Sequence, residues 1–162
     1  MTEVAPDAMA PKSAAVLDVM GNIDELNCVL GLCDGQFDAI QSFLSEIMGY
    51  LYYKNNNETR INAQLMLMEE YVTSRNNSIP TWFVNPKGFV SLARAVCRRA
   101  ERSVVKMNNE LREQGDNAGY NLYPVMRYLN RLSDYLFVKS FEREANMPEL
   151  FPDALAVRAA TM

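Results

Sequence analysis

Phe-Val-Ser-Leu-Ala-Arg-Ala-Val-Cys-Arg-Arg-Ala-Glu-Arg-Ser-Val-Val-Lys-Met, residues 89–107, is the stretch that decides the fold. Its apolar residues recur every three or four positions, which predicts a helix with one apolar stripe facing a core. The members of this stripe are Phe89, Leu92, Ala93, Val96, Ala100, Val104 and Met107. Because alanine recurs inside the stripe, we expect another helix to approach this one closely.

The other side of this predicted helix is basic. Arg94, Arg98 and Arg102 follow one another at steps of four and therefore stack on one face, while Arg99 lies about a quarter-turn around the helix. Each pair of like charges at this spacing costs roughly 0.2–0.5 kcal/mol. Guanidinium groups pair well with carboxylates and phosphates, so we expect anions to face this row, from other helices or from a ligand. The alternative is a solvated basic face.

Length and composition indicate one globular domain. The chain has 162 residues, of which 49% are hydrophobic and 22% are charged. The formal net charge of -4 argues against general nucleic-acid binding. No apolar run is long enough to span a bilayer, and the N-terminal sequence has no secretory pattern. We therefore expect no nucleic-acid partner and no membrane insertion.

The chain contains three cysteines and no histidine. Cys28, Cys33 and Cys97 lack C-x-x-C or metal-type spacing, so we expect buried thiols in a reducing intracellular compartment, either the cytoplasm or an organelle matrix, and no metal site. The lack of histidine excludes the usual catalytic triads and zinc sites. Any chemistry must come from Arg, Asp, Glu, Asn or Tyr side chains or from a bound cofactor.

Helical periodicity accounts for most of the chain. The predicted helices run from about residue 13 to the Asp34-Gly35 turn and over residues 36–53, 59–74, 88–113 and 124–144. Residues 1–12 and 146–162, which contain prolines, are expected to be an irregular arm and an irregular tail. The prediction is an all-α up-down bundle of five helices over residues 13–145.

Several side chains outside the basic row are candidates for a site. Asp24 lies near the border of the buried face of the first helix and is equally compatible with an ordinary surface acid. Asn130 and Asp134 lie off the apolar stripe of the last helix, where Asp134 is a natural partner for an arginine of the central helix. Trp82 and Phe83 lie in a predicted loop, where they either plug one end of the bundle or line a ligand pocket.

Two segments are specific enough to suggest a family. They are Arg-Ala-Val-Cys-Arg-Arg-Ala-Glu-Arg at 94–102 and Asn-Arg-Leu-Ser-Asp-Tyr-Leu-Phe at 130–137. They resemble the signature helices of the PduO-type ATP:cob(I)alamin adenosyltransferases. Gly-Asn-Ile-Asp-Glu-Leu-Asn at 21–27, Ile-Gln-Ser-Phe-Leu at 40–44 and Phe-Val-Asn-Pro-Lys-Gly at 83–88 resemble further family segments, in the same order. The resemblance covers about residues 12–140.

This resemblance implies a five-helix bundle that forms a homotrimer, with active sites between subunits. Family members transfer the adenosyl carbon of ATP, bound with Mg²⁺, to the cobalt of cob(I)alamin and release triphosphate. The resemblance also implies the following roles. Asp24 pairs across the interface with Arg94, and Arg98 and Asn130 contact ATP. Phe83 faces the corrin, Glu101 supports the arginine cluster, and Lys12 matches a lysine that follows the phosphate loop. From their positions in the sequence, Arg102 and Asp134 are further candidates for supporting this cluster.

The sequence also departs from the family pattern. The family's Thr-Arg-x-Gly-Asp-x-Gly-x-Thr loop, which wraps the triphosphate and Mg²⁺, has no counterpart in the 23 residues before Asp24. Residues 85–88 place Lys87 where the family has a glycine, and the connection at 108–123 is longer than usual. One hypothesis is therefore a non-catalytic trimer with a structural or assembly role, which would hold other protein partners.

A second hypothesis is an active adenosyltransferase whose ATP loop is replaced or lies outside this chain. An unrelated helical interaction module is a third.

Overall fold

The computed structural model describes residues 2–5, 8–10, 15–53, 58–75, 86–113, 115 and 121–145. These residues contain the helices α1 (Ala15–Gly31), α2 (Asp38–Tyr53), α3 (Glu58–Ser74), α4 (Gly88–Glu113) and α5 (Tyr123–Ala145). The predicted all-α bundle is confirmed, and α4 has the predicted bounds. None of the described helices is both long enough and apolar enough to cross a membrane.

Two short strands precede the bundle. β1 (Thr2–Ala5) pairs antiparallel with β2 (Ala8–Ala10), with Thr2 opposite Ala10 and Glu3 opposite Met9. The first part of the expected irregular arm is therefore a β-ribbon. Pairing is local here, because only two residues separate the strands in the sequence and closing so short a loop costs little entropy. Lys12 and the tail at 146–162 lie outside the described residues.

The core is built around α4. This helix packs most extensively against α5 and α1, while α5 also packs against α3 and α1 against α2. The buried stripe of α4 contains Val90, Ala93, Val96, Cys97, Ala100, Val104 and Met107. Ala93 and Ala100 have no exposed surface, as expected where helices approach closely. The central helix is therefore covered on both sides by neighbours.

The predicted stripe was wrong at its N-terminal end. Phe89 and Leu92 are 47% and 48% exposed, because the buried face runs through Val90 and Cys97 instead. Phe89 precedes Val90 by one residue and is therefore rotated about 100° away from it around the helix. A large apolar surface thus remains uncovered on the first turns of α4.

Buried aromatic and thiol groups connect the other helices. Tyr128 of α5 is fully buried and meets Phe43 of α2 edge-to-face, with 5.0 Å between ring centroids. The Cys97 thiol donates a hydrogen bond to the Leu129 carbonyl oxygen at 3.2 Å, and burial raises the pKa of this thiol. Cys33 is buried as expected, but Cys28 is exposed because it lies on the outer face of α1. The expectation of buried thiols was therefore wrong for Cys28.

Candidate functional site

A polar groove of about 470 Å³ lies between α4 and α5. It is lined by Arg98, Glu101, Arg102, Val105, Asn130, Ser133 and Asp134. The residues of each helix are spaced by one helical turn or are adjacent, which places them on one face. The groove thus brings together five of the side chains that the sequence singled out.

One lining residue of the groove carries a hydrogen-bonded amide. The Asn130 Nδ2 donates a hydrogen bond to the Glu101 Oε1 at 3.1 Å. The hydroxyl of Ser133 donates to the Asn130 backbone carbonyl oxygen at 2.7 Å. Glu101 was expected to support the arginine cluster, but its hydrogen bond in the described structure fixes Asn130. The amide of Asn130 therefore has a defined orientation before any ligand arrives.

The neighbouring arginines of α4 have different partners. Arg99 donates to the Asn22 Oδ1 at 3.0 Å and forms an ion pair with Glu25, both residues of α1. Arg98 and Arg102 are exposed in the groove, and neither pairs with an acid among the residues that the structure describes. A carboxylate of another helix therefore neutralises Arg99, whereas two guanidinium groups remain available to an external anion.

Asp134 was predicted to pair with an arginine of the central helix. It forms no ion pair with one in the described part of the chain, although its charge acts to raise the pKa of Arg94. Its carboxylate forms an ion pair with Arg131 of its own helix, with 3.2 Å between Nη1 and Oδ2. Arg131 also contacts Glu69 of α3 at 3.2 Å, and Arg127 lies 3.5 Å from the same Glu69 oxygen. Because Arg131 lies three residues before Asp134 on the same helix, the two side chains can pair without any contact between helices. This pair within α5 forms in place of an ion pair with α4. The carboxylate still lies on the wall of the groove.

Arg94 is half-buried, and its guanidinium carbon lies 5.0 Å from the centroid of the Phe137 ring. Burial and repulsion by Arg98 lower the pKa of Arg94, while Asp134 opposes this shift. Asp24 is exposed on α1 and has no ion-pair partner in the described part of the chain. The two residues are therefore not paired within one chain, and their pairing between subunits stays a prediction.

Other candidates fall outside the described residues. Phe83 and Trp82 belong to a segment, 76–85, that the structure does not describe. Lys87 is described and exposed, immediately before Gly88, whose φ of 76° marks the start of α4. The described residues contain no group of three or more Cys, Asp or Glu side chains able to hold a metal ion.

Phe137 is the last residue of the family-like segment 130–137, but it was not predicted as a site residue. An aromatic residue two turns beyond Asn130 was the available signal. Phe137 also contacts Phe141 edge-to-face, with 4.9 Å between ring centroids. The structure therefore adds an aromatic pair to the surroundings of Arg94.

The fold is a helical bundle with a charged groove between two helices, lined by two arginines, Arg98 and Arg102, and two carboxylates, Glu101 and Asp134. The family model for cobalamin adenosyltransferase matches residues 1–142. The chain belongs to this family.

Two curated relatives agree with this assignment. Human corrinoid adenosyltransferase MMAB is 27% identical over 165 residues, covering 86% of this chain and 62% of the human protein. A cobalamin adenosyltransferase of Cupriavidus metallidurans is 30% identical over 145 residues, covering 78% of this chain and 73% of that protein. The chain thus spans less than two thirds of the human relative's length.

Solved structures show the same fold. A variant of the PduO-type ATP:corrinoid adenosyltransferase from Lactobacillus reuteri complexed with ATP has a TM-score of 0.58 and 22% identity, covering 87% of this chain and 86% of that chain. A second variant, complexed with cobalamin and ATP, also has a TM-score of 0.58 and covers 86% of this chain and 84% of that chain. The bundle therefore has the PduO-type fold.

Proposed function

We propose that the chain binds ATP through its triphosphate in the α4–α5 groove and acts as an ATP:cob(I)alamin adenosyltransferase. The observation that carries this proposal is the pair of exposed guanidinium groups, Arg98 and Arg102, beside the oriented amide of Asn130. Their Cβ atoms are one helical turn apart, about 5–6 Å, which suits two phosphates of one chain. Arginine binds phosphate through two parallel hydrogen bonds, so a triphosphate is a fitting anion.

The proposed assembly is a homotrimer in which Asp24 of one subunit pairs with Arg94 of the next. Asp24 has no ion-pair partner among the described residues, and Arg94 is half-buried. Phe89 and Leu92 lie on the same helix as Arg94 and expose a large apolar surface. Contact with a second copy at Arg94 would neutralise both charges, whereas Phe89 and Leu92 lie about 140–160° around α4 from Arg94 and would need a different contact to cover them.

The residues of the groove have separable roles in this proposal. Arg98 and Arg102 hold the phosphates and stabilise the charge on the departing triphosphate, because fixed cations act strongly where charge develops. Asn130, fixed by Glu101, orients the nucleoside portion. The electron pair of cobalt(I) forms the new bond to the adenosyl carbon, and the bond from that carbon to the triphosphate oxygen breaks. Phe83 remains the proposed corrin contact, and Lys12 a proposed phosphate contact.

A second candidate function is a non-catalytic trimer with a structural or assembly role. The observation that favours it is the exposed Lys87, which stands where the family pattern has a glycine. A lysine cannot reproduce the close backbone approach that glycine permits. If the protein is non-catalytic, the residues of the groove and of the subunit interface serve to stabilise the assembly.

An adenosyl-transfer assay separates the two candidates. The protein is incubated anaerobically with Mg-ATP and chemically reduced cob(I)alamin, and the conversion of the cob(I)alamin spectrum to that of adenosylcobalamin is followed. The first candidate requires product formation that falls by about a hundredfold or more in Arg98→Ala and changes little in Arg99→Ala. No product from a protein that binds both substrates would support the second candidate.

A further inference from the structure

A charged cluster joins the last turns of α3 and α5, away from the α4–α5 groove. The Tyr71 hydroxyl lies 2.6 Å and 2.8 Å from the two carboxylate oxygens of Glu142. The Arg75 Nε donates to the Glu142 Oε1 at 2.7 Å, and the Lys139 Nζ lies 3.2 Å from the Glu142 Oε2. One carboxylate of α5 thus receives donors from Tyr71 of α3, from Arg75 directly after α3, and from Lys139 of its own helix.

Aromatic rings complete this cluster. The guanidinium carbon of Arg75 lies 3.6 Å from the centroid of the Tyr71 ring, and the Lys139 Nζ lies 4.7 Å from it. The rings of Tyr71 and Tyr135 are 5.0 Å apart. The Lys139 side chain is only 19% exposed, which makes its contacts stronger than those of a solvated lysine. The cluster is therefore a dense junction between two helix ends.

The same turns of α5 carry the aromatic pair beside Arg94. Phe137 and Phe141 flank Lys139 in the sequence, and Phe137 contacts the guanidinium of Arg94. The position of these rings depends on how the last turns of α5 sit on the bundle. Glu142 is one of the residues through which α3 holds those turns, beside the ring contact between Tyr71 and Tyr135.

We propose that Tyr71, Arg75, Lys139 and Glu142 form a positioning cluster that fixes the last turns of α5 on α3 and thereby holds Phe137 against Arg94. Glu142 is a positioning residue for the intersubunit site, because its effect on Arg94 passes through Phe137. The part of this inference that concerns subunit contact rests on the proposed trimer. The part that concerns the last turns of α5 does not.

The first test needs no ligand and no trimer. Hydrogen–deuterium exchange is measured for α5 in Glu142→Gln, which keeps the side-chain size but removes the charge, and in Tyr71→Phe, which removes one hydroxyl. The matched control is Glu46→Gln, which breaks the corresponding α2–α3 ion pair with Arg60. We expect exchange at 136–142 to become about tenfold faster in both cluster variants, with 125–133 unchanged. Unchanged exchange at 136–142 in both cluster variants would overturn the proposal.

The second test is a double-mutant cycle on subunit association. Glu142→Gln is introduced alone and together with Phe137→Leu, and the dissociation constant of the oligomer is measured by analytical ultracentrifugation. We expect Glu142→Gln to weaken association at least fivefold alone and to have no further effect once Phe137 is replaced, since coupled residues are not additive. Independent, multiplying effects would contradict the route through Phe137. If the wild-type protein is monomeric, the proposed assembly is wrong. The exchange experiment then still decides whether the cluster fixes the last turns of α5.

Discussion

At the scale of single residues, Arg98 and Arg99 show how adjacent positions acquire different chemistry. Arg99 is turned toward α1 and is neutralised by Glu25, whereas Arg98 opens into the groove. From the sequence, both carboxylate partners and ligand phosphates were possible anions for this row. In the structure, a carboxylate neutralises Arg99, whereas Arg98 and Arg102 remain available to ligand phosphates. A pattern of like charges indicates that anions are needed but not which helix supplies them.

The first prediction compares these two arginines. Arg98→Ala should weaken Mg-ATP binding by about ten- to hundredfold, because one charge-assisted hydrogen-bonding group contributes about 1.5–3 kcal/mol. Arg99→Ala should leave the affinity for ATP within about threefold and lower stability slightly, since it removes an exposed ion pair. Isothermal titration calorimetry measures both affinities. Equal losses in the two variants would show that ATP does not use the groove.

The second prediction concerns Glu142 and pH. Partial burial alone would raise the pKa of Glu142, but hydrogen bonds from Tyr71, Lys139 and Arg75 outweigh this and lower it. The folded state therefore binds this proton less readily than the unfolded state, so its stabilising effect is present above the unfolded-state pKa and is lost as the pH falls through the folded-state pKa. Urea unfolding between neutral pH and about pH 3 should show a smaller loss of stability in Glu142→Gln than in wild type. Identical pH dependence would exclude a lowered pKa.

At the scale of elements, α4 shows what periodicity can and cannot predict. Its bounds and its buried C-terminal stripe were correct because strong apolar spacing and the glycine at its start agree. Phe89 and Leu92 were misassigned because spacing alone does not distinguish a core-facing residue from one on a surface that another chain can cover. The β-ribbon was missed because its strands are short and rich in alanine, which has a low preference for strands.

The third prediction tests the close packing of α4. Ala100 is fully buried where α4 meets its neighbours, so Ala100→Leu should lower the free energy of unfolding by about 1–3 kcal/mol through overpacking. The control is Ala63→Leu on the exposed face of α3, which should change it by less than about 0.5 kcal/mol. Equal effects in urea unfolding would mean that α4 is not tightly enclosed.

At the scale of the whole molecule, the described chain contains only part of the proposed site. The groove, the oriented Asn130 and the half-buried Arg94 are present, but Asp24 and Arg94 have no ion pair with each other within the chain. Helical spacing placed Arg98 and Arg102 on one face of α4 and Asn130 and Asp134 off the apolar stripe of α5, whereas the site roles of Arg98, Glu101 and Asn130 came from the family resemblance. The pairing of Asp134 was not predictable, since local and cross-helix partners were chemically equivalent.

The fourth prediction concerns assembly. Arg94→Glu should convert the proposed trimer to monomers, because in that assembly it would place a carboxylate opposite Asp24 of the neighbouring subunit. Arg112→Glu makes the same charge change at an exposed site in the last turn of α4 and should leave the trimer intact. Adding Asp24→Arg to Arg94→Glu should restore association in part. A trimer that is unaffected by Arg94→Glu would rule out the proposed pair.

The most direct test of the central claim is calorimetric titration of the chain with Mg-ATP at a protein concentration where its oligomeric mass is known. The groove account predicts a trimer that binds ATP with micromolar affinity and loses most of this affinity in Arg98→Ala. A folded trimer that gives no binding heat and shows no protection from thermal unfolding by ATP would contradict it. The retained arginines would then serve the assembly and not a nucleotide.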